Sequence, residues 1–257
     1  MGIAVRWRPL VAAAVGLVLL SPAACRGGKG GSASSGSTAG TAATGTSAST
    51  ATTTAATDFS AKVDHPLFSL VSVRSQTFEG TERDPKTGEV TKTRMEKRVL
   101  DQTEKVDGVE VTALEVKEYE DDELVERTLD YFAQHRDGSV WYFGERIDDY
   151  EGGKVKGHEG QWLAGEGNAR PGLYLPANPI VGQEFAQEQA PGIAEDRSTI
   201  LVVGAEVTTP AGRFTGCIRV KDSAPLSKTE EFKFYCPKVG IAREEEPNAT
   251  SDLVRYS

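Results

Sequence analysis

The chain has 257 residues, with 38 acidic against 29 basic side chains and a formal net charge of -9. Its basic residues are scattered, so it lacks the positive face that phosphate neutralisation needs, and no nucleic acid partner is expected. Nor would so acidic a chain adhere unaided to anionic headgroups.

Arg6 and Arg8 precede an apolar run from Leu10 to Leu20, followed by Ser21-Pro22-Ala23-Ala24 and then Cys25. A basic start, a short apolar segment and small residues before a cut predict a signal peptide over residues 1–24. A cysteine at the cut marks a bacterial lipoprotein signal. Counted on to Ala24, with Pro22 near its end, the apolar stretch is about 15 residues long where a spanning helix needs about 20, so cleavage is expected rather than a permanent span. Acylation of Cys25 would tie the chain to the membrane through its lipid, at the extracytoplasmic face, each buried methylene adding about 0.8 kcal/mol. The alternative is ordinary cleavage after Ala23 or Ala24, leaving Cys25 a free thiol. From Arg26 to Thr57 only Arg26 and Lys29 are charged and the rest is mainly Gly, Ser, Thr and Ala. Residues 25–57 therefore read as a lipidated cysteine and a flexible tether reaching about 30 Å.

Residues 58–257 suffice for one β domain with its own core. Turn signals recur at Asp84-Pro85-Lys86-Thr87-Gly88, Val106-Asp107-Gly108, Glu120 to Glu123, Arg136-Asp137-Gly138 and Glu151-Gly152-Gly153. Between them, Val90–Leu100, Val109–Tyr119, Leu124–Gln134, Val140–Ile147 and Val155–Leu163 alternate with a period near two. Residues 168–192 break into Pro- and Gly-rich sequence, a long excursion over an end of the sheet. Strands resume at Ser198–Val207, Arg213–Lys221, Glu230–Cys236, Val239–Glu244 and Leu253–Tyr256. The fold class expected is all-β: an antiparallel meander forming one strongly curved sheet, a half-barrel or barrel.

Cys217 and Cys236 flank a hairpin in an exported chain, which invites a disulfide. Alternation aligns Phe214, Ile218 and Val220 with Phe232, Phe234 and Cys236, and so places the two thiols on opposite faces unless a bulge before Pro237 intervenes. The pairing stays open at this level.

The densest aromatic cluster is Tyr131-Phe132-Ala133-Gln134 followed by Asp137 to Glu145, containing Trp141, Tyr142 and Phe143, with Trp162 on the next strand. Aromatics on both strand faces mean that both are covered or that one lines a cavity. Core packing and an apolar ligand groove are the competing readings, with Tyr131, Trp141, Tyr142, Phe143 and Trp162 as ligand-binding candidates. On the groove reading, Tyr142→Ala should weaken ligand binding more than stability.

This strand pair resembles a family of uncharacterised bacterial exported proteins and lipoproteins carrying Tyr-x-Ala-Gln and Asp-Gly-x-Val-Trp-Tyr-Phe-Gly-Glu. The resemblance continues through Trp162, Pro171-Gly172, Leu175 to Pro179, Val181-Gly182, Gln187-Glu188, Pro191-Gly192, Ala194-Glu195-Asp196 and Pro210-Ala211-Gly212, and departs at Ser69–Gln76, Cys236 and Lys238. It implies no activity. A likeness to the unclosed β-barrels of lipoprotein carriers is fold-level analogy.

His65, His135 and His158 are far apart, no residue set has metal-ligand spacing, and neither a nucleophile elbow nor a phosphate-cradling loop is present, so no cofactor, metal or catalytic constellation is read. Glu188, Glu195 and Asp196 in the Pro/Gly-rich excursion are the loop candidates, either solvated turn charges or the carboxylates of a hydrolase. Three functions compete: a tethered domain binding an apolar or amphipathic ligand such as a lipid, an envelope interaction module without a ligand, and a carboxylate-dependent hydrolase.

Overall fold

The computed structural model of the protein describes residues 56–257. The signal peptide, Cys25 and all of the tether except Ala56 and Thr57 lie outside the described residues. Ala56 and Thr57 belong to a 3-10 turn, Ala56–Asp58, that leads into the first strand.

Seventeen strands follow: β1 (Phe59–Ser60), β2 (Asp64–His65), β3 (Phe68–Ser69), β4 (Ser75–Arg83), β5 (Val90–Val106), β6 (Val109–Glu120), β7 (Glu123–His135), β8 (Val140–Glu151), β9 (Lys154–Gly157), β10 (Trp162–Leu163), β11 (Gly172–Leu175), β12 (Glu184–Ala186), β13 (Arg197–Thr209), β14 (Gly212–Ala224), β15 (Thr229–Cys236), β16 (Gly240–Glu245) and β17 (Ala249–Tyr256). All but β2 and β3, which pair with each other, belong to one antiparallel sheet running β10-β8-β7-β6-β5-β4-β17-β16-β15-β14-β13-β12, with β1 on β7 and β9 and β11 on β8. The expected Val155–Leu163 strand divides into β9 and β10, and the Pro/Gly-rich excursion contains the short strands β11 and β12. No α-helix occurs among the described residues.

Local chemistry explains the meander. Asp107 and Gly108 (φ 47° and 79°) turn β5 into β6, and Asp121 and Asp122 (φ 46° and 68°) turn β6 into β7. Two successive left-handed residues match the right-handed twist of the flanking strands, and Asp and Gly adopt them at low cost. The Glu120–Glu123 charge run is thus a hairpin tip.

The ladder is open. Its ends are not joined by continuous pairing; one isolated bridge, Arg170 with Gln189, links the segments flanking β11 and β12, so the barrel alternative is not realised as a hydrogen-bonded closure. One face is nonetheless concave. The hydroxyls of Tyr174 on β11 and Tyr235 on β15 meet at 3.2 Å although β8, β7, β6, β5, β4, β17 and β16 stand between them along the ladder. In a flat sheet, at about 4.8 Å per strand, they would lie about 40 Å apart.

Two glycine bulges control what points inward. Pairing shifts between Asp130↔Glu145 and Phe132↔Tyr142, inserting an extra residue in β8 beside Gly144 (φ 107°), so Tyr142 and Glu145 both face the concave side. A second shift, between Ala205↔Cys217 and Glu206↔Thr215, falls at Gly216 (φ 70°). Beyond it β14 alternates regularly, and Cys217 is bonded to Cys236 across 19 positions of sequence, the cross-strand position next to Ile218↔Tyr235. No bulge is needed to bring the thiols together, because β15 turns Phe232 and Phe234 to the outer face with Cys236, and Cys217 lies on that face too, rather than matching the two phenylalanines to Ile218 and Val220. Closing a loop of this length stabilises by about 3 kcal/mol. Reduction, or Cys217→Ser with Cys236→Ser, is expected to lower the stability by about that amount in chemical denaturation without changing the far-ultraviolet circular dichroism of the folded state. An unchanged unfolding midpoint would contradict it.

Candidate functional site

The concave face is not the apolar surface that the strand pattern suggests. On β15, Phe232 and Phe234 face outward, where Arg219 stacks over both rings at 4.2 and 5.6 Å. The concave positions of β15 are Glu231, Lys233 and Tyr235, opposite Asp222, Val220 and Ile218 of β14. On β7 and β8 the sequence of concave residues likewise includes Asp130 and Glu145, both buried.

These residues enclose a cavity of about 60 Å³, enough for several waters. One wall is aromatic: Phe68, delivered by the β2–β3 hairpin, with Phe132, Tyr142 and Tyr174. Their ring centroids lie 4.8–6.1 Å apart in tilted and edge-on contacts. The other wall is charged, with Lys97, Lys233 and six carboxyl side chains, Asp130, Glu188, Asp196, Asp222, Glu231 and Glu244. A second cavity of about 40 Å³ shares Glu231 and Glu244 with the first and is lined on its far side by Glu118, Tyr119 and Thr250.

Ion pairing in this interior is specific. Lys97 Nζ lies 2.8 Å from Glu244 Oε1, both side chains being 8% exposed. Lys233 Nζ lies 2.9 Å from Glu231 Oε2 and 3.2 Å from Asp222 Oδ2. Ser198 Oγ sits 2.6 Å from Asp222 Oδ1 and 2.7 Å from Gln187 Oε1, and the Tyr142 hydroxyl donates to Asp130 Oδ1 at 2.7 Å.

Glu188 and Asp196 reach the cavity through the Pro/Gly-rich excursion. Ala190 and Ala194 pair as a short bridge around the Pro191-Gly192 tip. The amides of Gln187 and Glu188 both donate to the Asp196 carbonyl, at 2.8 and 3.1 Å. Gly172 of β11 lies flush against this segment, for a Cβ there would stand 1.9 Å from the Gln187 carbonyl oxygen. Glu188 is 2% exposed, and its Oε2 has no hydrogen-bond partner among the described residues.

The sequence candidates thus separate. Tyr142 lines the cavity, and Trp162 packs behind it with ring centroids 5.6 Å apart. Tyr131, Trp141 and Phe143 do not line it. They lie on the opposite face of β7 and β8, where Phe59 packs edge-on against Trp141 and Phe143 and Tyr131 donates to Glu104. Of the loop candidates, Glu188 and Asp196 line the cavity, whereas Glu195 caps the turn, its Oε1 accepting the Gly192 amide at 2.8 Å. Lys97, Asp130, Asp222, Glu231, Lys233 and Glu244 escaped the sequence reading. The available signal was an acid two places beyond an apolar residue on one strand face, as in Leu114-x-Val116-x-Glu118 and Ile218-x-Val220-x-Asp222.

Tyr142 also bears on the expected Tyr142→Ala effect. It is 3% exposed, bonded to Asp130 and in contact with three other rings, so its truncation should cost about 3–5 kcal/mol and cannot separate binding from stability.

No group of three or more carboxyl, histidine or cysteine side chains among the described residues is arranged to hold a metal ion. No protein-family model, curated protein or solved structure matches the chain.

Burial and mutual repulsion set the charge state. Burial raises Asp130 to about 6 despite the Tyr142 hydroxyl, and burial with Asp222 beside it raises Asp196 to about 7. Burial carries Glu231 to about 8, against the pull of Lys233. Glu188 is pushed well above the usual carboxylate range by burial and then by Asp196, and Glu145 by burial and then by Glu188. Burial would raise Glu244 as well, but Lys97 and Lys233 hold it below the usual value.

A carboxyl whose pKa is raised on folding binds more protons in the native state, so its contribution to stability falls as pH climbs from the unfolded value through the folded one. The melting temperature is therefore expected to drop by about 5 °C or more between pH 5 and pH 8, at about 2–4 °C per kcal/mol for a domain of this size. His65, lowered by burial, opposes this below its ordinary value but is one group against several. A melting temperature flat or rising over this range, measured by calorimetry, would refute the assignment.

Proposed function

We propose that the protein is an extracytoplasmic binding domain, tethered to the membrane through lipidated Cys25, that holds an amphipathic small ligand in the cavity of its concave face. The observation that carries this reading is the pairing of an aromatic wall with a polar one around space that side chains leave unfilled. Ligand sites are concave, largely apolar and supplied with a few convergent polar groups. The signal-like residues 1–24 and the Gly/Ser/Thr/Ala segment after Cys25 support the tether, and the resemblance to exported lipoproteins agrees with it.

The cavity is tested by filling it. Ala224 is buried, lines the cavity and pairs with Thr229 at the end of β14. N-phenyl-1-naphthylamine should enter the wild-type domain saturably at one molecule per chain, with a rise in its fluorescence. Ala224→Leu should abolish uptake at a stability cost of about 1–3 kcal/mol. Wild-type protein that takes up no probe would leave the aromatic and charged walls as purely structural packing. The tether is tested separately: Cys25→Ser should release the domain from the membrane fraction, and wild-type chain found wholly soluble with an alkylatable Cys25 thiol would defeat the lipoprotein reading.

A further inference from the structure

The charge balance of the cavity identifies what it would accept. Both cations that line it are already engaged, Lys97 on Glu244 and Lys233 on Glu231 and Asp222. Asp130, Glu188 and Asp196 have no cationic partner within ion-pair distance among the described residues. Asp130 accepts only the Tyr142 hydroxyl, and Glu188 presents an unpartnered oxygen while 2% exposed. Carboxyls so buried are costly unless an opposite charge joins them or they stay protonated.

These three line the same space as the aromatic wall, Asp130 in direct contact with it through Tyr142. The rings of Phe132, Tyr142 and Tyr174 are tilted relative to one another rather than stacked flat, at 31–66°, so that ring faces remain turned toward other directions. Ring faces carry negative potential and attract cations, most strongly when water is excluded. An anion would meet unpaired acids with no free lysine to receive it. A neutral apolar group would leave the Glu188 oxygen unpartnered. A metal ion would need a converging set of ligands that the described residues do not provide.

We propose that the ligand of this cavity is an organic ammonium compound, its cationic nitrogen set against Glu188 in the field of Asp196 and Asp130 and its apolar body against Phe132, Tyr142 and Tyr174. This rests on the ligand-binding reading above and adds the sign of the ligand's charge.

The test uses the intact domain and three molecules of nearly equal size: phenethylammonium, 2-phenylethanol and 3-phenylpropionate. Each is titrated by calorimetry at about pH 8 and used to displace N-phenyl-1-naphthylamine. The ammonium is expected to bind at least about tenfold more tightly than the alcohol, the scale of a desolvated cation–π contact with one charge-assisted hydrogen bond, and the carboxylate to bind most weakly. Glu188→Gln should bring the ammonium-to-alcohol ratio close to one. Asp196→Asn should lower it less, and serves if Glu188→Gln does not fold. Equal binding of the three, preference for the carboxylate, or an ammonium preference that survives both substitutions overturns the charge inference; if the dye still enters, the ligand-binding reading stands. Absence of binding by the dye and by all three molecules overturns both.

Discussion

The ammonium of Lys233 is the interaction on which this interior depends. It stands at the centre of β15, opposite Val220 of β14 and Glu244 of β16, and forms ion pairs with Asp222, diagonally across the ladder, and with Glu231 on its own strand. Burial would lower its pKa, yet Glu231 and Asp222 hold it well above the ordinary lysine value, so it remains charged at any physiological pH. Without that charge the concave faces of β14, β15 and β16 would present Asp222, Glu231 and Glu244 to one another with Lys97 as the remaining counter-charge. Removing one partner of such a buried pair typically costs about 3–5 kcal/mol, because the other is left uncompensated. The sheet can bend round a charged interior because the cation is built into the middle of a strand.

The second constraint is the pair of bulges. A strand that alternates strictly offers every other side chain to one face, and inserting one residue reverses the assignment beyond it. Gly144 does this in β8, so that Tyr142 and Glu145, an odd number of positions apart, share the concave side. The Trp162 carbonyl lies 2.3 Å from where a Cβ on Gly144 would stand. The bulge is thus fixed both by its positive φ and by the close passage of β10. Gly216 does the same in β14, upstream of the regular stretch in which Ile218 and Val220 face inward while Cys217 faces outward beside Cys236. Geometry at Gly144 therefore decides which side chains of β8 reach the site, whereas plain alternation along β14 and β15 brings the two cysteines together.

Much of the meander was legible in the sequence because its cause is local. Asp107-Gly108, Asp121-Asp122 and Gly152-Gly153 turn the chain whatever surrounds them, and the runs between them alternate. The candidate site was less legible because its cause is not local. Phe232 and Phe234 read as core, yet the interior was already committed to Lys233, and the rings found cover under the Arg219 guanidinium instead. Tyr131, Tyr142 and Phe143 are all groove candidates by residue type, though Tyr142 and Phe143 occupy opposite strand faces; the face of Phe143 is buried beneath Phe59, so aromatics on both sides are packing on one and lining on the other. Glu188 and Asp196 stood out only as acids in a Pro/Gly-rich excursion. Their burial depends on Gly172 of β11 allowing that segment to lie flush, a contact between stretches some fifteen residues apart that no local pattern encodes.

An interior with more acid than base is poorly suited to stability alone. Apolar residues of similar volume at Asp130, Glu188 and Asp196 would remove the desolvation of three carboxyls and the repulsion of Asp196 and Asp130 on Glu188. Local rules broken in this way tend to mark places where a fold has been shaped for something other than its own stability. Here the broken rule and the open space coincide: the unpaired carboxyls line the cavity beside the aromatic wall, whereas on the outer face Glu115 is satisfied by Arg98, Lys117 and Arg127 at 2.8–3.4 Å. The same sheet thus surrounds the buried Glu115 with cations on its outer face and leaves Asp130, Glu188 and Asp196 short of them where there is room. A cation bound only by the folded state would supply the missing charge and add its binding free energy to the stability of the domain, so the groups that weaken the empty protein near neutral pH are those that would favour its occupied form.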